Sequence, residues 1–278
     1  MKSEKVIALL VAEKSLIDII EKSIQGLLIN SNVYIIYLVV PNEDVTLFRA
    51  KINNNQVHIL SENDLISSEK QILIKERLGK MHFMYGWYLQ QFLKFEFAHH
   101  IDQDNYLIWD ADTVLFKKMV FKTDIFEVVP SSEYHKPYFE TLEKILGIQR
   151  QVNFSFISQF MMVNKNELND FFSLIDRENP QNWYLRVIEN IKKDAINEFS
   201  EYESYGNYIA FKNKRNIKLK HKKWFRYGAA VYNFKNLKKY SFRDLKNKFS
   251  GYTFVAFERH KYSFFKRFIA KIMVFLKL

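Results

Sequence analysis

Short apolar runs separated by helix-length connections fill the first sixty residues. Val6–Val11 and Val33–Val40 contain only aliphatic residues and tyrosine, and a weaker run follows at 57–60. Between the first two runs, apolar residues recur at helical spacing over 15–28. Strands buried on both faces read as continuous apolar runs, and helices between such strands are crossovers of a parallel sheet. The pattern predicts an α/β fold with a mostly parallel central sheet.

Two carboxylates interrupt the apolar stretch 106–116, which reads Tyr-Leu-Ile-Trp-Asp-Ala-Asp-Thr-Val-Leu-Phe. Removing a carboxylate from water is costly unless it is paired or bound to a cation. Asp110 and Asp112 would share one face of a strand end, where open α/β sheets bind ligands. Hard cations such as Mn2+ or Mg2+ take one or two carboxylates together with the phosphates of a nucleotide. We expect a divalent metal here, although a plain turn or a helix cap would also suit these residues.

Glycine and cysteine usage excludes several classes of enzyme. The chain has 7 glycines, and no Gly-x-Gly-x-x-Gly or phosphate-loop pattern follows the first strand. This argues against a dinucleotide-binding dehydrogenase or a P-loop enzyme. The chain has no cysteine, which excludes disulfides, thiolate metal sites and a cysteine nucleophile. Such a composition suits the reducing cytoplasm.

The net charge of +11 is unevenly distributed along the chain. The segment from Lys212 onward contains 20 Lys and Arg residues and only two acidic residues, Asp244 and Glu258, which gives it a net charge of +18. The first 211 residues carry 22 basic and 29 acidic residues and a net charge of −7. A mildly acidic body with a strongly basic C-terminal quarter predicts an anionic partner such as a membrane surface, a nucleic acid or an acidic glycan.

The last 23 residues, 256–278, are predicted to form a basic amphipathic helix appended to a domain at 1–255. Apolar residues fall on one arc of a helical wheel: Phe264, Phe265, Phe268, Ile269, Ile272, Met273, Phe275 and Leu276. Cations fall opposite, with Val274 as an exception: Lys266, Arg267, Lys271 and Lys277. The pattern is typical of a helix lying in the membrane interface, and the cations exclude a spanning helix. The alternative is a helix packed on the body or on a second subunit.

A second group of carboxylates lies at 197–203, Asn-Glu-Phe-Ser-Glu-Tyr-Glu. Ser200 followed three residues later by Glu203 is a capping-box pattern at a helix start. If Glu203 has that structural role, Glu201 is left free at the head of the helix. Glu201 is then the first candidate for chemistry and Glu203 the second, against the alternative of ordinary surface carboxylates.

Four blocks, in this order, resemble a family of bacterial glycosyltransferases of the GT-A type. They are Gly-Trp-Tyr-Leu-Gln-Gln-Phe-Leu-Lys (86–94), Tyr-Leu-Ile-Trp-Asp-Ala-Asp-Thr-Val (106–114), Ser-Phe-Ile-Ser-Gln-Phe-Met-Met-Val-Asn-Lys (155–165) and Phe-Ser-Glu-Tyr-Glu-Ser-Tyr-Gly-Asn-Tyr (199–208). The resemblance covers residues 5–235 and implies a single GT-A, Rossmann-like domain that uses a nucleotide sugar, most often a UDP-sugar. It places the metal on Asp110 and Asp112.

The resemblance also implies roles for residues that packing does not explain. Similar inverting enzymes carry a general base where this chain has Glu201 and Glu203. A late histidine completes the metal shell in similar folds, and His221 and His260 are available. The residues expected to bind substrate are Trp87, Gln90, Gln91 and Lys94 on one helix, His135 in a loop, and Gln159 on a strand predicted at 154–163. Trp87 also suits a helix core, and His135 an exposed loop position.

These observations favour a metal-dependent transferase that adds a sugar to a bacterial surface glycan, either lipopolysaccharide, lipooligosaccharide or capsule. The expected partners are a nucleotide sugar, a glycan or glycolipid acceptor and an anionic membrane, with the protein peripheral on the inner face of the cytoplasmic membrane. A nucleic-acid-binding protein that uses the basic quarter is an alternative, but it leaves the carboxylates unexplained. A nucleotidyltransferase is another, against which the lack of a glycine-rich loop counts.

Overall fold

The computed structural model describes residues 4–192, 196–213, 216–259 and 262–277. The strands within these residues are β1 (Val6–Val11), β2 (Val33–Val40), β3 (Val57–Ser61), β4 (Asn105–Trp109), β5 (Thr113–Leu115), β6 (Phe126–Val128), β7 (Phe160–Asn164), β8 (Ile217–Leu219), β9 (Trp224–Phe225) and β10 (Phe254–Ala256). The α-helices are α1 (Ile17–Asn30), α2 (Val45–Lys51), α3 (Glu62–Leu65), α4 (Ser68–Leu78), α5 (Tyr85–Glu96), α6 (Lys136–Leu146), α7 (Lys165–Ile175), α8 (Trp183–Asn190), α9 (Glu201–Asn213), α10 (Gly228–Val231), α11 (Phe242–Lys248) and α12 (Phe264–Leu276).

The chain divides into two compact units. The first consists of Met1–Leu60, Trp109–Phe121 and His221–Leu278, and the second of Ser61–Ile108 and Lys122–Lys220. The predicted metal ligands Asp110 and Asp112 therefore belong to the first unit, whereas Glu201 and Glu203 belong to the second.

The first unit contains the parallel strand pair predicted from the apolar runs. Every residue of β1 is buried, and β1 pairs in parallel with β2, so that Ile7 lies opposite Ile35 and Val11 opposite Val39. β3 is the other neighbour of β2. The predicted α/β class with a mostly parallel central sheet is confirmed.

Helix α1 packs closely against β5, which runs antiparallel to β10. The Ser23 hydroxyl donates to the Thr113 carbonyl over 2.6 Å, and the Asn30 amide donates to the Leu115 carbonyl over 3.0 Å. A Cβ atom at Gly26 would lie 2.7 Å from that Leu115 oxygen, so only glycine fits at this contact. The close approach fixes β5 and, with it, the turn that precedes it in the chain.

Helix α12 lies on the first unit through a narrow face. Ala270 and Val274 are 2% and 4% exposed and join a hydrophobic core of mixed aliphatic and aromatic side chains, and the Tyr252 hydroxyl donates to the Met273 carbonyl over 3.4 Å. Val274, the exception on the helical wheel, is thus part of the face that contacts the body. The helix begins within the predicted segment 256–278, and the boundary after residue 255 stays a prediction. None of the described helices is both long and apolar enough to cross a membrane.

The second unit has an aromatic core around α5 and α9. Trp183 stacks on Phe172 with ring centroids 4.9 Å apart and makes an edge contact with Phe92 at 5.3 Å. Phe95 contacts Tyr205 at 5.9 Å, which joins α5 to α9. On α5, Leu89 and Phe92 are buried in this core, whereas Trp87, which was also expected to suit a helix core, is half-buried.

The strand predicted at 154–163 is wrong over its first half, because β7 begins only at Phe160. Ser155 forms an isolated bridge to Ser131, and Gln159 has a positive φ of 72°, which is incompatible with a regular strand. The apolar composition of this stretch reflects a buried loop.

Candidate functional site

The turn from Asp110 to Asp112 joins β4 to β5. β4 ends at Trp109 and β5 begins at Thr113, so the stretch is two strands with a turn between them and not the end of one strand. The Thr113 N–H donates to the Asp110 carbonyl over 2.9 Å, and the buried Trp109 indole N–H donates to the Thr113 carbonyl over 2.8 Å. Ala111 is buried, whereas both aspartates are half-buried. The fold thus fixes the turn and leaves both aspartates partly open to solvent.

Residues that follow β9 and β10 lie near Asp112. Its carbonyl accepts from the Phe257 N–H over 2.9 Å. Arg226 Nε donates to Glu258 Oε1 over 2.5 Å, and the Tyr262 hydroxyl donates to the Glu258 carbonyl over 3.2 Å. Burial raises the pKa of Tyr262 to about 12, with further contributions from the charges of Glu258 and Asp112. These neighbours were not predicted, because no sequence motif connects them to the Asp-x-Asp stretch.

The donor chemistry of this turn suits a cation that takes most of its ligands from elsewhere. In the described part of the chain, no three or more histidine, aspartate or glutamate side chains are grouped to hold a metal ion. His221 is exposed ahead of β9, and it does not complete such a group with Asp110 and Asp112; His260 lies outside the described residues. A pair of carboxylates remains, which is the protein contribution typical of Mg2+ sites completed by phosphates and water.

In the second unit, Glu201 is paired with Lys94 and is not free as predicted. Lys94 Nζ lies 2.6 Å from Glu201 Oε1, and the two side chains are 7% and 5% exposed. The Glu201 N–H donates to Gln91 Oε1 over 3.1 Å, and the Lys94 ammonium lies 4.8 Å from the Tyr202 ring centroid. Two of the predicted substrate-binding residues, Gln91 and Lys94, are therefore brought to the first predicted catalytic residue.

Glu203 lies in a separate buried hydrogen-bond network. Its carboxylate accepts from the Ser155 hydroxyl over 2.5 Å, from the Phe156 N–H over 3.3 Å and from the Asn207 amide over 3.1 Å. Its own N–H donates to the Ser200 hydroxyl over 3.3 Å, which is one half of the predicted capping box. Burial raises the pKa of Glu203 to about 7, and the hydrogen bonds from Ser155 and Phe156 only partly oppose this.

The remaining predicted binding residues occupy three places in the second unit. Trp87 and Gln90 are half-buried on α5, and the Trp87 ring contacts Tyr88 edge-on at 4.8 Å. His135 precedes α6, and its buried Nε2 atom has no hydrogen-bond partner among the described residues. Gln159 is 3% exposed and precedes β7 with its positive φ. Such a strained backbone is more frequent at functional sites than elsewhere.

Two further buried carboxylates were not selected from the sequence. Burial raises the pKa of Glu96 to about 7, although the Trp183 indole N–H donates to it over 2.7 Å. Glu198 is 1% exposed; one of its oxygens accepts from the Lys192 N–H, and the other has no partner within the described chain. Glu198 belongs to the acidic stretch 197–203, so the density of acidic residues there is the sequence signal that could have identified it.

Comparison with known proteins gives one family and several distant structures. Residues 11–254 match the model of a family described as "Family of unknown function (DUF6492)". No curated protein matches the chain. At these levels of similarity the structures show only which proteins the chain resembles: mouse xyloside xylosyltransferase 1 in its apo form (9% identity, TM-score 0.49, 91% of this chain and 97% of that one), galactosyltransferase LgtC in complex with donor and acceptor sugar analogues (10%, 0.48, 98% and 95%), and the glycosyltransferase GlyE of Streptococcus pneumoniae TIGR4 (12%, 0.42, 98% and 62%).

Proposed function

The chain belongs to DUF6492, a family of unknown function, and we propose that it is a glycosyltransferase of the GT-A type. The proposed reaction moves a sugar from a nucleotide diphosphate donor, a UDP-sugar, to a bacterial surface glycan. The observation that carries the proposal is the turn at Asp110 and Asp112, where a hydrogen-bonded, otherwise buried segment presents two half-buried carboxylates. The four sequence blocks around this turn, which resemble those of bacterial GT-A enzymes, support it.

Asp110 and Asp112 are proposed to hold Mn2+ or Mg2+ together with the donor's phosphates. A bound divalent cation would neutralise charge on the departing nucleoside diphosphate. The carboxylates bring two negative charges to a turn that hydrogen bonds hold in place, so little ordering is needed when the cation binds. His260, which lies outside the described residues, remains a proposal for a further ligand, whereas His221 forms no metal-holding group with the two aspartates.

Glu201 and Glu203 are proposed to act on the acceptor, with Glu201 as the general base for its hydroxyl. The Lys94 ammonium compensates the charge of Glu201, and Gln91 and Lys94 fix the position of this glutamate. Glu203, with a pKa of about 7, is present in both protonation states near neutral pH and can accept or donate a proton. Trp87, Gln90, His135 and Gln159 are proposed to bind the sugars.

The acceptor is proposed to be lipopolysaccharide, lipooligosaccharide or capsule, with the protein peripheral on the inner face of the cytoplasmic membrane. The excess of basic residues from Lys212 onward supports an anionic surface as a partner. This part of the proposal depends on the C-terminal quarter and is separate from the carboxylate sites.

A thermal-shift screen against nucleotide sugars, each with and without Mn2+, tests the function. A ligand that binds only the folded state raises the unfolding midpoint, so a shift that needs both metal and one nucleotide sugar is expected. Asp112→Asn should abolish this joint shift. Asp102→Asn is a matched control, because Asp102 and Asp104 form a second Asp-x-Asp pattern whose residues are exposed, and it should leave the shift unchanged.

The same screen separates the alternatives. If manganese-dependent donor binding persists in Asp112→Asn, the assignment of Asp110 and Asp112 as metal ligands is wrong. No shift with any nucleotide sugar, together with a clear shift with an oligonucleotide, would favour the nucleic-acid-binding alternative. If a donor binds, a sugar-transfer assay with detection of released nucleoside diphosphate separates a glycosyltransferase from a nucleotidyltransferase, which would release pyrophosphate.

A further inference from the structure

Helix α12 exposes a concentration of large apolar side chains. Of the 16 large hydrophobic residues exposed among those described, six lie on this 13-residue helix. They are Phe265, Phe268, Ile269, Ile272, Phe275 and Leu276. Phe265 and Phe275 are 70% and 80% exposed. Contiguous exposed apolar surface of this kind marks an interaction site.

All six side chains share one face of the helix, and the opposite face is already occupied. At 100° per residue they span an arc of about 120°, whereas Ala270 and Val274 lie on the far side and are buried in the first unit. Rotating the helix to bury the phenylalanines would expose Val274 and break the Tyr252–Met273 contact. The apolar face is therefore a fixed outer surface of the first unit.

Cations flank this face, and the helix carries no acidic residue. Lys266 and Lys271 are both exposed and lie on either side of the apolar arc, each about 100–120° from its centre. Apolar side chains bordered by lysines are the arrangement of helices that lie in the headgroup region of anionic membranes. Thirteen residues span only about 20 Å, which is too short to cross the hydrocarbon core of a bilayer.

We infer that the outer face of α12 binds the surface of an anionic phospholipid bilayer, with its phenylalanines inserted between headgroups. The inference extends the proposed function by naming the membrane-binding surface, and it uses none of the residues assigned to chemistry. Complementary charge favours lipid over a second copy of this chain, because two copies meeting through this face would bring their lysines together.

The test is sedimentation of the full chain with phosphatidylcholine vesicles that contain phosphatidylglycerol, and with vesicles of phosphatidylcholine alone. Wild-type protein should bind the anionic vesicles more tightly. The double variant Phe268→Ser/Phe275→Ser should bind them at least about tenfold more weakly, because membrane affinity scales with inserted apolar area. The matched control is Phe83→Ser/Phe211→Ser, which removes two phenylalanines that are 66% and 61% exposed in the second unit and should bind like wild type.

A charge variant and a solution measurement complete the test. Lys271→Glu should weaken binding to anionic vesicles and leave binding to neutral vesicles unchanged. The inference is overturned if wild type does not bind anionic vesicles, or if the control double variant loses as much binding as the α12 variant. It is also overturned if the α12 variant binds as wild type does, and conversion of a dimer to a monomer by that variant in light scattering would then assign the face to a second copy of this chain. Vesicle binding needs no nucleotide sugar, so failure here is distinguishable from failure of the proposed transfer reaction.

Discussion

Glu201 and Lys94 form a deeply buried ion pair, with Nζ and Oε1 2.6 Å apart. Lys94→Met would remove the cation and leave the Glu201 carboxylate buried without its ion-pair partner. Breaking a buried pair by removing one partner costs about 3–5 kcal/mol, and we expect a loss of that order in the free energy of unfolding measured with urea. The exposed pair Lys51–Glu21, at 3.3 Å, gives the control Lys51→Met, which should cost less than about 1 kcal/mol. Equal losses in the two variants would contradict a compensating role for Lys94.

Glu203 makes stability depend on pH near neutrality. Because its pKa is about 7 in the folded protein and near the ordinary glutamate value of 4.5 in the unfolded protein, the folded state binds more protons between these two pH values. The free energy of unfolding should therefore fall as the pH rises from about 4.5 to about 7, by at most about 3 kcal/mol. Glu203→Gln should flatten this fall when unfolding is measured at pH 5 and pH 8.

Glu140 provides a control, because its pKa is shifted in the opposite direction to that of Glu203. Hydrogen bonds from Lys136 and Lys192 lower its pKa to about 2, so any stability it adds is lost only as the pH falls below its unfolded value. Glu140→Gln should leave the difference between pH 5 and pH 8 as in wild type. A steep fall that survives in Glu203→Gln would assign the pH dependence to Glu96, whose pKa is also about 7.

Single residues were predicted better than their partners. Gln91 and Lys94 stood out because buried polar groups on an aromatic helix need partners, and both are bonded to Glu201. The partner itself lies 107 residues away from Lys94, and no local pattern connects the two. Glu201 was therefore expected to be free, and the hydrogen bonds of Glu203 to Ser155 and Asn207 were not foreseen either.

At the scale of strands and helices, apolar composition predicts some elements correctly and fails for others. β1 and β2 coincide with their apolar runs, because every residue of β1 is buried and those of β2 are buried or half-buried, and strands covered on both faces carry no polar interruption. The stretch 154–159 is equally buried but forms a loop, and burial without periodicity cannot separate the two. For α12 the wheel found the apolar face, but the sequence could not show that Ala270 and Val274 make the contact with the body.

Gly206 in α9 gives a prediction that reverses the usual helix rule. Alanine normally stabilises a helix over glycine by about 0.5–1 kcal/mol. A Cβ at Gly206, however, would lie 2.2–2.5 Å from the ring of the buried Phe156, whose N–H bonds to Glu203. Gly206→Ala should therefore lower the urea midpoint. Gly86→Ala in α5 is the control, since nothing lies within 4 Å of its Cβ, and it should raise the midpoint or leave it unchanged. Stabilisation by Gly206→Ala would mean that Phe156 moves aside at no cost.

At the scale of the whole molecule, the sequence predicted the distribution of charge along the chain but did not predict its division into two compact units. The net charge of +18 from Lys212 onward follows from counting residues. The two units are each built from separated segments, because strands distant in sequence pair with one another, as β5 does with β10. Such pairings depend on long-range packing that composition does not encode.

The basic quarter will attract any polyanion at low salt, so salt dependence distinguishes a general electrostatic surface from a lipid-binding face. For a nucleic-acid-binding protein with several phosphate contacts, affinity falls about 10^3–10^5-fold between about 50 and 200 mM salt. Screening by salt does not weaken the burial of apolar side chains to the same degree.

We expect oligonucleotide binding to show this steep salt dependence. Vesicle binding should keep a residual component at about 200 mM salt, where the charges of the lysines are largely screened. In Phe268→Ser/Phe275→Ser this salt-resistant component of vesicle binding should disappear, while the salt-sensitive component of the binding stays. If vesicle and oligonucleotide binding instead fall in parallel for wild type and variant, the C-terminal quarter acts through charge alone.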